Sequence, residues 1–134
     1  MAIAGGRWNV ELTTGYITVG TNDMARAAAF YDALFATIGA GRFMEGETFI
    51  AWAVSPTQPA FGIIKPFNGQ PATIGNGCMT AIAFDSPDKV DAFYNKAMEL
   101  GATDEGPAGA RSPNFYAGYF RDLDGNKLNA FCMS

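Results

Sequence analysis

The chain has 134 residues, of which 49% are hydrophobic, and a formal net charge of −4. This size fits one globular domain, and the charge argues against nucleic acid, because phosphate binding needs a concentrated basic face. No apolar run reaches the roughly 20 residues that a membrane-spanning helix needs, and the opening MAIAGGRWNV lacks the pattern of a signal peptide. We therefore expect one cytoplasmic domain, residues 1–134, with neither a nucleic-acid nor a membrane partner.

The sequence contains no histidine. Histidine is the commonest metal ligand and the side chain most easily tuned for proton transfer near neutral pH. Its absence excludes histidine-activated nucleophiles, histidine-based zinc or iron sites and histidine general bases. The two cysteines, Cys78 and Cys132, have neither metal-site spacing nor the density of a disulfide scaffold. We expect both to be buried, reduced and structural, since cysteine often behaves as a small core residue.

The first half of the chain, residues 15–67, predicts a strand, a helix and further strands. YITVGTND begins with β-branched residues and ends in helix-capping types. Apolar residues then recur at three- and four-residue spacing, which predicts an amphipathic helix over residues 23–38, and Gly39 can end it in a left-handed conformation. The segments RFMEGETFIAWAVSP and FGIIKPF are typical of strands. The linker NGQPATIGNG, residues 68–77, separates this module from the next.

The second half, residues 78–133, repeats the same order. A short strand leads to Ser86, a good N-cap, and to Pro87 at the first helical position, which together predict a helix over residues 88–100. A Phe-Tyr pair stands at matching positions of the two helices, at residues 30–31 and 93–94. The chain is therefore predicted to contain a duplicated strand–helix unit, with both Phe-Tyr pairs in the core.

A loop and a hairpin are expected to complete the second module. The glycine- and proline-rich segment EGPAGARSPN, residues 105–114, is interpreted as a long loop, and long loops in compact domains are often functional. Asp124-Gly125 lies between two runs of strand-forming residues, which predicts a tight hairpin turn. The charged residues Glu45, Glu47 and Arg111 are interpreted as solvated charges of turns and loops.

The strand NFYAGYF has aromatic residues on both of its faces. Tyr116 and Phe120 point one way and Phe115 and Tyr119 the other, because side chains alternate along a strand. One pair should line a cavity and the other should meet the helix. The sequence leaves open which pair does which.

The duplicated βαβββ modules, the segment TNDMARAAAFYDAL after the first strand and the closing FYAGYFRDLDGNKLNAFC resemble the glyoxalase, bleomycin-resistance protein and extradiol dioxygenase superfamily, also called vicinal oxygen chelate. The resemblance covers nearly all of residues 15–133. It implies an α+β fold in which two βαβββ modules form a half-open mixed sheet around a cup-shaped cavity, with the helices outside. Enzymes of the superfamily hold a divalent metal in the cup with four inward-facing side chains, whereas metal-free relatives bind a ligand there.

The positions that match the superfamily's metal ligands carry unsuitable side chains. They are Tyr16 on the first strand, Ala81 or Met79 on the matching strand of the second module, and Asn129 after the hairpin. The remaining ligand would fall in FGIIK, which has neither a carboxylate nor an imidazole. A hard divalent cation needs several anionic or strongly donating oxygens. We therefore expect no bound metal and no other cofactor.

The resemblance implies a metal-independent protein that binds a small molecule in the sheet cavity. The alternatives are a lyase, isomerase or dioxygenase-type enzyme with a non-standard metal site or none, and a domain with a filled cup that only mediates assembly. A homodimer is also implied. The sequence leaves open whether the modules pair within a chain or swap between chains. No catalytic residue is assigned, and for Trp52, Tyr16 and Asn129 a structural role is the alternative. The ligand-binding candidates are Tyr16, Thr18, Trp52, Met79, Ala81, Tyr116, Tyr119 and Asn129.

Overall fold

The computed structural model describes residues 15–134, so the opening segment on which the signal-peptide prediction rests lies outside the described residues. The elements in chain order are β1 (Tyr16–Gly20), α1 (Met24–Ala36), β2 (Gly41–Glu45), β3 (Phe49–Ala53), β4 (Ala60–Ile64), β5 (Thr80–Ala83), α2 (Pro87–Glu99), β6 (Thr103–Ser112), β7 (Phe115–Arg121) and β8 (Lys127–Met133). Neither of the helices in this part of the chain is both long and apolar enough to cross a bilayer.

The strands form two four-stranded sheets of identical plan. Their strand orders are β1-β4-β3-β2 and β5-β8-β7-β6. In each sheet the first strand runs parallel to its neighbour and the other pairs are antiparallel. The predicted α+β fold of two βαβββ modules is confirmed, and both mixed sheets are open.

Both helices begin at the predicted capping residues. The Asp23 carboxylate accepts a hydrogen bond from the Arg26 backbone N–H at 3.0 Å, and the Ser86 hydroxyl accepts one from Lys89 N–H at 3.3 Å. These bonds satisfy amide groups that have no partner within the helix. After α1, Gly39 has a φ of 74°, the left-handed conformation expected of the stop residue.

The two helices share one hydrophobic core. Both predicted Phe-Tyr pairs are buried in it. The ring centroids of Tyr31 and Phe61 lie 4.8 Å apart. This contact packs α1 against its own sheet. Phe35 of α1 lies 6.2 Å from Phe93 of α2, so the aromatic contacts also run between the modules. Aromatic pairs at such distances add to the stabilisation from area burial.

The strand register assigns each side chain to one of two faces, since directly paired residues share a face. In module two, Tyr116 donates a hydrogen bond to Asp91 of α2 at 2.6 Å, and Phe120 packs against Phe93. These residues define the helix face, and the opposite face of each sheet is called here the open face. Phe115 and Tyr119 lie on the open face, so Tyr116 and Phe120 are the pair that meets the helix.

Two carboxylates in the β7–β8 turn tie module two to α1 and to the residues just before it. The Asp122 carboxylate accepts a hydrogen bond from the Tyr31 hydroxyl at 2.6 Å, and Asp124 accepts one from the Thr21 hydroxyl at 2.6 Å. Asn126 donates to the Gly20 carbonyl at 2.9 Å. Burial, together with the nearby Asp122 charge, raises the pKa of Tyr31 well above its usual value. The DLDGN sequence therefore joins the two modules.

The prediction of a long loop at residues 105–114 is wrong. Most of that segment belongs to β6, which pairs with β7 and is the outer strand of its sheet. The pairing shifts register at three points between Asp104 and Ser112. Proline is tolerated on edge strands and at bulges, where its missing N–H breaks no ladder bond. The Pro and Gly residues thus indicated an irregular edge strand rather than a loop.

The expectation for the cysteines is half wrong. Both are free, and Cys132 on β8 is buried, but Cys78 is exposed. Cys78 precedes β5 and follows a turn in which its N–H donates to the Gly75 carbonyl at 3.1 Å. It therefore lies in the segment before β5 and is not part of the core.

Replacing Tyr31 with Phe should destabilise the protein by about 1–3 kcal/mol, because a buried carboxylate loses a hydrogen-bond donor. Denaturant unfolding measures the change. Tyr16→Phe removes the same group from a side chain that is 65% exposed and should leave the free energy of unfolding nearly unchanged. Equal effects of the two substitutions would show that the Tyr31–Asp122 bond does not stabilise the joined modules.

Candidate functional site

A groove of about 1260 Å³ runs between the two modules. Its long sides are β1 and β5, the end strands of the two sheets. The C-terminal end of α1, the β3–β4 turn, the N-terminal part of α2 and the residues just before β5 also contribute to its lining. The duplicated strands therefore enclose a space that belongs to neither module alone.

Most residues that line the groove are apolar. Phe35 and Phe93, which meet across the modules, contribute to its floor together with Trp52 and Phe61. Ile17 and Ile82 contribute the helix-facing sides of β1 and β5. Removing an apolar concave surface of this kind from water is favourable, so it contributes to the free energy of ligand binding.

Hydrogen bonds fix the orientation of Trp52. Its indole N–H donates to Asp32 Oδ1 at 2.9 Å, and Arg42 binds both oxygens of the same carboxylate, with distances of 3.0 and 2.8 Å. The hydrogen bond from Arg42, aided by that from Trp52, holds the pKa of Asp32 below its usual value. The ring is thus held in one position at the groove wall while it also packs in the core.

Charged and amide-bearing residues also line the groove: Gln58, Asp85, Lys89, Asn126 and Lys127. Lys89 and Asp85 form an ion pair of 2.8 Å at the start of α2. That pairing lowers the pKa of Asp85. Lys127 and Asn126 lie at the other end, beside the turn that joins the modules. These groups could orient a polar part of a ligand whose apolar part lies in the groove.

Four of the predicted ligand-binding residues line this groove: Thr18, Trp52, Met79 and Ala81. Tyr119 and Asn129 face each other across β7 and β8 on the open face of module two. Tyr16 lies on the open face of module one, where its ring meets Phe49. Tyr116 is turned towards α2. The structure thus brings four of the eight candidates together at the groove, but not Tyr16, Asn129 or the two tyrosines of β7.

Apart from Trp52, the aromatic residues of the floor were not among the predicted site residues. Phe35 and Phe93 follow the apolar stripes of their helices, which indicated only core positions. Phe61 lies in the apolar run FGIIK, which gave no sign of a cavity. An apolar stripe on a helix shows that its residues are buried, but it does not show which other groups they contact. No sequence signal separated the residues at the groove from the rest of the core.

The side chains at the superfamily's metal positions do not fit a divalent cation. Tyr16 is exposed on one sheet, whereas Asn129 is buried on the other and supplies only an amide. Ala81 has no donor atom. Within residues 15–134 no group of three or more His, Cys, Asp or Glu residues is placed to hold a metal ion. The donor set offers neither the charge nor the number of oxygens that such an ion requires.

Comparison with known proteins gives the family. The sequence model of the Glyoxalase/Bleomycin resistance protein/Dioxygenase superfamily matches residues 13–130, and the chain belongs to this superfamily. A glyoxalase/bleomycin resistance protein from Albidiferax ferrireducens is 37% identical with a TM-score of 0.81, and the match covers 90% of this chain and 98% of the other. No curated protein sequence matches significantly.

Two more distant structures share the fold. An antibiotic-binding protein from a Streptomyces species is 21% identical with a TM-score of 0.63, and the match covers 91% of this chain and 96% of the other. A lactoylglutathione lyase from Agrobacterium tumefaciens is 17% identical with a TM-score of 0.67, and the match covers 92% of this chain and 95% of the other. The same fold therefore occurs in one protein named as a binding protein and in another named as an enzyme. The residues at the site must decide between such functions.

Nickel, zinc, manganese or cobalt added to the protein should not raise its melting temperature. An ion at a hundred times its Kd would stabilise the fold by roughly 2.7 kcal/mol, which would shift melting by several degrees in a domain of this size. Differential scanning calorimetry with each ion measures this. Asn129→Glu should not create tight binding either, because one added carboxylate makes a poor cage. A metal-dependent rise in the melting temperature that Asn129→Ala abolishes would contradict the argument.

Proposed function

We propose that the protein binds a small, largely apolar molecule in the groove between β1 and β5 without a metal ion. The observation that carries this proposal is the aromatic lining of a groove of about 1260 Å³. Drug-sized ligands are usually held in pockets of roughly 300–1,000 Å³ with apolar walls and a few polar groups. The name of the antibiotic-binding relative is in keeping with such a role.

The construction of the groove suits binding because its walls exist before a ligand arrives. The turn containing Asp122 and Asp124 fixes module two against α1, and Asp32 fixes the Trp52 ring. A preformed site loses less conformational entropy when it binds its ligand. The alternative of catalysis lacks a comparable observation, since no described acid and base face each other across the groove.

We also propose that two copies associate through the open face of module one. Tyr16 and Met44 are 65% and 53% exposed, and Phe49 and Ile64 lie on the same face. A second copy of the chain would cover this apolar surface, and soluble proteins seldom leave large apolar patches exposed. The cytoplasm is the proposed location, because the two free cysteines suit a reducing compartment.

The groove can be tested with phenylnaphthylamine, a neutral aromatic dye that fluoresces when it leaves water. The protein should bind this dye, and Ala92→Trp should weaken binding at least about tenfold, which corresponds to about 1.4 kcal/mol. Ala92 is an exposed residue of α2 at the groove, so an indole there can fill the space without disturbing the core. Fluorescence titration gives both dissociation constants.

Ala29→Trp is the matched control, because Ala29 is an exposed helical alanine of α1 that does not line the groove. Its dye affinity should equal that of the original protein. If both variants bind as the original does, the dye lies elsewhere and the groove is not the binding site.

The proposed association predicts a dimer in sedimentation equilibrium at micromolar concentration. Met44→Glu should shift the equilibrium to monomer, since a carboxylate placed in an apolar contact loses its hydration. Phe67→Glu replaces another exposed apolar residue, which follows β4 and belongs to none of the strands of that face, and should leave the dimer intact. A monomeric original protein would contradict the proposal.

A further inference from the structure

The open face of module two carries a cluster of charged and polar side chains around one aromatic ring. The guanidinium carbon of Arg111 lies 5.4 Å from the centroid of the Tyr119 ring, and the ammonium nitrogen of Lys127 lies 5.5 Å from it. Glu105 is 3.7 Å from Lys127 and 3.4 Å from Arg121. The group is called here the Tyr119 patch, and it consists of Glu105, Arg111, Tyr119, Arg121, Lys127 and Asn129.

The sign of charge in the patch is opposite to that of the chain. The protein has 13 acidic and 9 basic residues. The patch contains three basic residues and one acidic residue. The neighbouring Asp104 accepts hydrogen bonds from the Tyr94 hydroxyl at 2.7 Å and from the Gly106 N–H at 2.8 Å, and these bonds, together with the Arg111 charge, lower its pKa. A local excess of positive charge on an acidic protein favours an anion at that place over the rest of the surface.

The two cations beside Tyr119 are positioned and still have free donor capacity. Arg111 donates to the Gly109 carbonyl at 2.9 Å and to the Pro107 carbonyl at 2.7 Å. A guanidinium has five N–H groups, so it retains donors for another partner. The ammonium group of Lys127 carries three donors and has Glu105 on one side. Both side chains are held close to the ring, and both retain N–H donors for a further partner.

Asn129 supplies the observation that points to a ligand. It is 1% exposed, and within residues 15–134 its buried Oδ1 has no hydrogen-bond partner. Asn129 pairs with Tyr119 on one side and with Ala81 on the other, and Lys127 is two residues away on the same face. Buried polar atoms in folded proteins almost always have a partner. This acceptor therefore calls for a donor from outside residues 15–134.

The patch adjoins the groove. Lys127 and Ala81 belong to the groove lining, and both flank Asn129 on the open face. A molecule with its apolar part in the groove can therefore extend a polar end past Ala81 towards Asn129. This continuity joins the two sites through residues that the strand register places side by side.

We propose that the Tyr119 patch is an anion subsite, and that the ligand is an apolar organic acid with a hydrogen-bond donor near its anionic group. Arg111 and Lys127 bind the carboxylate, sulfonate or similar group, and Asn129 Oδ1 accepts the hydrogen bond from an adjacent N–H or O–H. This assignment rests on the proposed binding of a small molecule in the groove and names the chemical class of that molecule.

Two dyes of the same ring system separate the subsite from the groove. Anilinonaphthalene sulfonate carries the anion and an adjacent N–H, whereas phenylnaphthylamine lacks the anion. Arg111→Gln, at an exposed edge-strand residue that does not line the groove, should weaken the sulfonate dye about tenfold, the usual size of a lost charge-assisted hydrogen bond, and change the affinity for the neutral dye less than twofold. Lys127→Met should also weaken binding of the sulfonate dye.

Lys65→Met is the charge-matched control, because Lys65 is exposed and outside the patch. It should alter neither affinity. If Lys127→Met and Lys65→Met weaken the sulfonate dye equally, the anion subsite is disproved while the groove stays supported by the neutral dye. If the neutral dye fails to bind the original protein, the groove proposal itself is disproved.

Asn129→Leu tests the role of the amide through two readouts. If Asn129 serves to bind a ligand, the Asn129→Leu variant should melt no lower than the original protein, because an apolar side chain of similar size replaces an unpaired polar one. The same variant should bind the sulfonate dye several-fold more weakly. A lower melting temperature with unchanged dye affinity would show that Asn129 is structural and would overturn its assignment to the ligand.

Discussion

The docking of the β7–β8 turn on α1 and on the residues just before it is the contact on which the arrangement of the two modules depends. Asp122 is 5% exposed and Tyr31 is 1% exposed, so their 2.6 Å hydrogen bond is shielded from water. Asp124, in the same turn, accepts a hydrogen bond from the Thr21 hydroxyl. Gly125 of that turn has a φ of 94°. Buried polar groups specify one arrangement because any other would leave them unpaired.

That docking also explains why a groove exists. The turn holds the end of β1 beside the start of β8, and Phe35 meets Phe93 beneath. Each sheet presents its end strand to the space between the modules, and among the described strands β1 and β5 are not paired with each other. The polar contacts fix the separation, and the aromatic contacts close the floor. Binding capacity thus follows from how the modules are joined.

Duplication gave the two modules the same plan but different surfaces. On the open face of module one, Tyr16 meets Phe49 and the remaining positions are mostly apolar or small. The matching face of module two carries the cations around Tyr119 and the buried amide of Asn129. One face is suited to contact with another apolar surface and the other to an anionic group. The fold fixes the positions, and the side chains at those positions decide the chemistry.

Local physical chemistry made part of this protein predictable from its sequence. The caps at Asp23 and Ser86, the stop at Gly39 and the periodicity of both helices depend on neighbouring residues, so the βαβββ order and the duplication could be deduced. The edge strand β6 was missed because proline and glycine favour loops locally, and only pairing with β7 makes a strand there. The exposure of Cys78, the aromatic floor and the unpartnered oxygen of Asn129 were decided by tertiary structure, because each depends on which distant groups come close and which do not. The sequence thus determined the modules and their family, whereas the packing of one module against the other determined the site.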